Sequence, residues 1–349
     1  MHRKTVSLAL NCCATKVANQ THKEWRIAPA SRAQSARSIN QRTAQHALIG
    51  IDQRKSALHS THLYLLSGQM KTNPNFCDRA ALALHRARAL RRPEPFLHEE
   101  AAFEIEERLN EVNRTFKDPV LIGHALEPLR AVWPEAPVVA DTERLDLQAG
   151  AHDLALHLFS LHWAEDPVGQ MVQSRLALKP DGMFLGVMFG GATLNELRTA
   201  LAEAESRLTG GLSPRVAPMA DLRDLGALIQ RAGLNLPVAD SRRLTVRYKT
   251  LSHLVRDLRG MGETNALAQR EKRPMPRALF DQTEEIYRAH FSDDDGYLTA
   301  TFELVFLAGW SPSENQQKPL RPGSAKARLA DALGVDEIKT GDRVAPSDR

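Results

Sequence analysis

The sequence predicts an α/β protein built on a mostly parallel sheet with helices on both faces. Two observations predict it. From residue 119 onward, short apolar runs bounded by turn residues alternate with segments of helical periodicity, the pattern of strands joined by crossover helices. A late apolar run, Leu298–Leu307, follows Asp295-Gly296, and a strand entered through Asp-Gly suggests an antiparallel addition to the sheet.

The elements follow in order. Between Pro95 and Phe116, Ile105, Leu109, Val112 and Phe116 recur at helical spacing, while Glu104, Glu106, Glu107 and Arg108 mostly face away. Val120–Gly123, Val138–Ala140, Leu154–Phe159 and Met183–Phe189 read as buried strands, with helices at about 167–178 and 193–207 between the later ones. Lys179-Pro180-Asp181-Gly182 is a turn, because Pro presets φ and Gly frees the exit. Asp221–Ala232 is a helix stopped by Gly233, Leu244–Tyr248 a strand, and Leu251–Arg259 and Arg277–His290 two more helices.

Composition narrows the function classes. Hydrophobic residues make up 42% of the 349 and charged residues 25%, an ordinary globular balance. No apolar run approaches the roughly 18 residues of a membrane-spanning helix. Residues 1–69 hold ten Lys or Arg against Glu24 and Asp52, leaving 36 basic and 40 acidic residues in 70–349, a net of −4 there. That mildly acidic body lacks the basic footprint of a nucleic-acid binder. Cys12, Cys13 and Cys77 are too few for a disulfide framework; none is expected in the globular domain, and no Cys/His spacing suggests a metal. This points to a reducing compartment.

Four segments are expected: a leader over 1–69, a helical segment over 70–118, the α/β domain over 119–318 and a loose polar tail over 319–349. The leader has no sustained apolar periodicity. An over-extended start, with Met70 as the true one, is favoured over a basic, acid-poor transit peptide. The location is then the bacterial cytoplasm, or the mitochondrial matrix if the leader is a transit peptide.

Several stretches carry a family resemblance in register. They are Ser160-Leu161-His162-Trp163, Leu178–Gly182, Met188-Phe189-Gly190-Gly191, Gly210–Arg215, Asp257–Asn265 and Ala300-Thr301-Phe302-Glu303. The chain resembles the methyltransferase-like assembly factor of mitochondrial complex I and its alphaproteobacterial relatives, and loosely the biotin-pathway malonyl methyltransferases. The resemblance implies a Rossmann-like class I methyltransferase fold, S-adenosylmethionine as cofactor, and a respiratory complex I subunit or other protein as partner. It also implies two alternatives to methyl transfer: a non-catalytic binding factor, or an enzyme that hydroxylates protein arginine.

The first half departs from that family. The resemblance implies a glycine-rich turn after the first strand, preceded by an acid. Here Leu121-Ile122-Gly123-His124-Ala125-Leu126-Glu127 keeps only Gly123. Only 17 residues separate Gly123 from Asp141, room for one crossover rather than two. The first half is therefore shortened, the ribose-gripping second strand is missing, and Val138–Asp141 is placed at the following strand.

The candidate residues each have a structural alternative. Gly123, Asp141, Thr142 and Leu161 are the candidates for cofactor contact, with Asp141 alternatively a strand-ending turn acid. His162, after a strand's carboxyl end where open α/β sheets bind ligands, is a candidate proton acceptor, or else a packed histidine beside Trp163. Phe189, Gly190 and Gly191 end another strand and line the site or merely turn the chain. Arg215, read as exposed, is a candidate for an anionic substrate group. Glu263 and Asn265, after Gly260-Met261-Gly262, are candidate lid residues.

Overall fold

The computed structural model describes residues 75–317. The expected leader, Cys12, Cys13, Met70 and the tail beyond 318 lie outside the described residues.

The described chain forms eight α-helices and six strands. In order they are α1 (Arg79–Ala89), α2 (Phe96–Glu111), β1 (Pro119–Gly123), α3 (Glu127–Val132), β2 (Val138–Val139), β3 (His152–Leu158), α4 (Pro167–Ala177) and β4 (Leu178–Phe189). Then come α5 (Asn195–Thr209), α6 (Leu222–Arg231), β5 (Asn235–Tyr248), α7 (Leu251–Met261), α8 (Arg277–Phe291) and β6 (Leu298–Trp310). The strands lie in the order β2-β1-β3-β4-β6-β5. β1, β2, β3 and β4 are parallel, and β6 runs antiparallel between β4 and β5. This is the Rossmann-like methyltransferase fold with its first half shortened.

Strand periodicity of two sorts the core. Leu121, Leu154, Leu156, Leu185, Val187, Phe302 and Leu304 face one side, against α2, α5, α7 and α8. Val120, Ile122, Ala155, Phe184, Met188, Val305 and Leu307 face the other, against α4 and α6. Both faces are buried, so the central strands read as unbroken apolar runs.

The structure alters four expectations. The 179–182 turn lies inside a longer strand: His152 pairs with Leu178 and Leu154 with Met183, so the intervening residues bulge from β4. β5 begins at Asn235 rather than Leu244, because pairing with β6 supplies order that its polar sequence lacks. β2 pairs directly with β1, Leu121 opposite Val138, instead of standing one strand further out. Cys77 belongs to the folded domain: with 1% exposure it packs with Leu82, Trp163, Ala266 and Leu267, and burial pushes its thiol up to about 11.

α1 reaches the carboxyl ends of the parallel strands, where its Arg86 meets Asp141 beyond β2. Asp78 caps α1 by accepting from the Ala81 amide at 3.0 Å, and its own amide donates to the Ala266 carbonyl. Glu165 accepts from the amides of Phe76 and Cys77 at 2.9 and 2.8 Å, fastening the start of the described chain to the loop after β3.

Candidate functional site

The carboxyl edge divides into two regions. The first, at β1 and β2, is where the resemblance places a nucleotide. Gly123 ends β1 with φ +135°, and a Cβ there would stand 2.3 Å from the Leu158 carbonyl oxygen. Glycine is needed because β1 and β3 close together, not because the backbone opens toward a ligand. The chain then turns through Ala125, φ +54°, and buries Leu126 beneath it.

Asp141 lies beyond β2 with 6% exposure. Arg86 of α1 donates from Nη1 to both carboxylate oxygens, at 2.7 and 2.9 Å. Arg79 approaches the same carboxylate at 3.5 Å and also donates to the Asp141 carbonyl. Arg86 is itself buried, so the pair satisfies two charges that would otherwise be stranded in the interior. Thr142 is exposed, and its hydroxyl donates to the Arg144 carbonyl at 2.6 Å. Leu161 faces the opposite side of the sheet, in the core with Val120 and Phe184.

These residues do not fit S-adenosylmethionine. The expected acid is engaged by two arginines of the chain. Thr142 is turned to its own loop, and Leu161 is core. The region is full.

A column of rings separates it from the second region. Phe159, after β3, stacks on Phe189 at 4.7 Å and meets the His98 ring edge-on at 4.8 Å. Phe189 in turn meets His162 at 5.1 Å. Phe159 has φ +43°, an uncommon conformation for a bulky residue, which costs about 1–3 kcal/mol and persists where packing enforces it. His98 is buried, and neither ring nitrogen has a partner among the described residues. Burial, ahead of the cationic Arg86, lowers its pKa to about 4.

The second region is a cavity of about 1350 Å³ bordered by Trp163, Phe189, Phe302, Arg215, Glu263 and Asn265 among others. Gly262, φ +79°, ends α7 in a left-handed turn and aims the next residue inward. That residue is Glu263, whose side chain is 5% exposed. Its Oε2 faces His162 Nε2 at 3.0 Å and accepts from Trp163 Nε1 at 2.7 Å. Its Oε1 is buried with no partner among the described residues. Burial alone would raise this carboxyl; the facing His162, Arg86 and the Trp163 donor together hold it down at about 2. The result is an ionised carboxylate with one free oxygen, walled by aromatic rings.

The other candidates fall into place around it. His162 does not border the cavity: its side chain is 1% exposed and its Nε2 lies 3.0 Å from Glu263 Oε2, the packed histidine of the two readings. Arg215 is not exposed for an anion, because its guanidinium donates to Glu205 Oε1 at 2.6 Å. Asn265 donates to the Pro214 carbonyl at 2.7 Å, tying the 262–267 turn to the loop after α5. Gly190 and Gly191 stay outside the cavity; a Cβ on Gly190 would strike Val305 at 2.6 Å, and its amide donates to the Glu303 carbonyl, so that turn is structural.

Sequence reasoning missed Arg86, Arg79 and His98. One signal was legible: Ala81, Leu82, Arg86 and Ala89 are the buried positions of α1, and an arginine within such a helical stripe demands an internal acid. Among the described residues, no three His, Cys, Asp or Glu side chains gather as a metal-ligand set, and no helix is long and apolar enough to cross a membrane.

Comparison with known proteins gives the same frame. The chain is 31% identical over 299 residues to the protein named arginine-hydroxylase NDUFAF5, mitochondrial, of Mus musculus, covering 77% of this chain and 87% of the mouse protein. The Danio rerio protein of the same name is 37% identical over 207 residues, 59% of this chain, and the chain spans only 64% of that relative's length. A malonyl-[acyl-carrier protein] O-methyltransferase of Laribacter hongkongensis is 31% identical over 56% of this chain and 64% of its own. No family model matches the chain.

Proposed function

The chain belongs to the family of arginine-hydroxylase NDUFAF5, and on that premise we propose that it recognises an arginine-bearing segment of a partner protein without using S-adenosylmethionine. One observation carries this reading. The acid on the nucleotide side, Asp141, is neutralised within the chain by Arg86, whereas the acid on the cavity side, Glu263, keeps a free oxygen.

A guanidinium suits that second acid. It is planar, always charged, donates in a fixed fork and stacks on aromatic faces. Trp163 and Phe189 border the cavity beside Glu263, so carboxylate and rings can act on one side chain. His162 and Trp163 hold the carboxylate from behind, so little rotamer freedom is lost on binding. Arginine is also the residue in the name of the NDUFAF5 relatives. The assembly-factor resemblance makes a respiratory complex I subunit the favoured partner. We place the work in the bacterial cytoplasm, on the low cysteine use and the bacterial relatives.

Calorimetric titration of the full chain tests it. A peptide with one central arginine is expected to bind, and Glu263→Gln is expected to weaken it roughly ten- to a hundredfold, the worth of one charge-assisted hydrogen bond. S-adenosylmethionine is expected to give no heat of binding. Micromolar affinity for S-adenosylmethionine, or arginine binding indifferent to Glu263→Gln, sinks the proposal.

A further inference from the structure

The mouth of the cavity is strongly basic while the body of the protein is not. Nine arginines and five acids border it, although residues 70–349 as a whole carry a net −4. Two of the nine are neutralised at close range, Arg215 by Glu205 and Arg270 by Asp78, and Arg277 faces Asp281 at 3.6 Å. The other six are Arg88, Arg91 and Arg92 from the end of α1 and beyond it, Arg256 and Arg259 on α7, and Arg273 in the loop before α8. All six are exposed, and none makes an ion pair among the described residues.

Unpaired exposed arginines drawn from three parts of the chain and converging on one opening are not the alternating charges of an ordinary solvated surface. They raise the local potential, repel a lone cation, and attract a segment whose own charge is negative. Glu263 at the bottom of the same cavity calls for the opposite sign. Both demands are met by an arginine set among acidic residues. The size agrees: about 1350 Å³ exceeds the roughly 300–1000 Å³ of a small-molecule pocket and suits a stretch of peptide.

We infer that the arginine rim recognises acidic residues flanking the arginine that enters the cavity, so that the partner is an acidic protein segment rather than a small molecule or a nucleic acid. This rests on the reading of Glu263 as the arginine receptor. The rim supplies attraction and orientation at the surface, and Glu263 supplies selectivity at depth.

The test uses the full chain and three short fluorescent peptides read by anisotropy. One carries a single arginine among Asp and Glu, the second has those acids changed to Gln and Asn, and the third has the arginine changed to Ala. The first should bind at least about tenfold more tightly than the second, with the gap closing as salt rises and screening shortens. The triple change Arg88→Glu, Arg256→Glu, Arg273→Glu should abolish that preference, and the corresponding lysine changes should keep it. Since salt acts on the unaltered protein, the prediction survives a variant that fails to fold. Equal binding of the first two peptides overturns the rim, as does tighter binding of a duplex RNA or of phosphatidylglycerol vesicles. Equal binding of the first and third peptides overturns the Glu263 reading alone.

Discussion

The two ends of the site handle a buried acid in opposite ways. At the β1–β2 end, Asp141 is surrounded by cations of its own chain, Arg86 at 2.7 Å and Arg79 at 3.5 Å. At the β3–β4 end, Glu263 meets His162 and Trp163 through one oxygen only and leaves the other free. Charge satisfied internally stabilises a fold; charge left half-satisfied in a cavity invites a ligand. The lengths of the elements tell the same story. β1, α3 and β2 span five, six and two residues, while β4, β5 and β6 span twelve, fourteen and thirteen. The shortened end has become packing, and the long end holds the opening.

The largest expected effect tests the closed end. Arg86→Leu strands Asp141 in the interior and should cost about 3–5 kcal/mol in urea unfolding, as breaking one partner of a buried pair does. Arg86→Leu combined with Asp141→Leu should recover most of that loss, because both buried charges are gone and the Arg79 left behind is partly exposed to water. A single-variant cost below about 1 kcal/mol means that Asp141 is solvated and the end is open.

A middle-sized effect comes from acid titration. Burial lowers both His98 and His157 from an ordinary 6.5 to about 4. Below pH 6.5 the unfolded chain binds protons that the folded chain refuses, so stability falls as pH drops from 6.5 and levels off once the folded rings protonate near 4. His98→Leu should lessen that acid-side fall in thermal unfolding scans and, by removing two buried unpartnered nitrogens, leave neutral-pH stability unchanged or higher. An unchanged acid slope refutes the buried, neutral His98. Glu263 acts later: held near 2 against an ordinary 4.5, it contributes stability that is complete above 4.5 and lost as pH falls toward 2.

The smallest effect is the control. Arg277 and Asp281 form an i,i+4 pair at 3.6 Å, with the arginine side chain 93% exposed. Arg277→Ala should change stability by less than about 0.5 kcal/mol, since solvent and salt screen such a pair. A larger change means that the rim is structural.

Much of the frame was legible because it follows local rules. Buried strands on two-sided sheets read as apolar runs, and the helices read at Asp221–Ala232 and Leu251–Arg259 are found at Leu222–Arg231 and Leu251–Met261. The shortened first half was countable from the spacing of Gly123 and Asp141. The site was harder. Trp163, Phe189, Arg215, Glu263 and Asn265 were singled out and do border one cavity, yet Arg215 is paired rather than exposed, and of the two readings of His162 its burial matches the packed one. Exposure and pairing are long-range properties. Nothing near Arg215 in the chain announces Glu205 ten residues back as its partner, and nothing near His162 announces Glu263 a hundred residues on.

What the sequence by itself determined is the alternation of most strands and helices, the antiparallel last strand and the loss of a crossover, since these depend on periodicity, turn chemistry and chain length; the helices α1 and α3 and the place of β2 beside β1 were not read from it. Only the tertiary structure decided which acid stays available, because that turns on where α1 lies. With Arg86 carried into the interior by one face of that helix, Asp141 closes one end of the sheet; with Gly262 turning the chain inward, Glu263 opens the other.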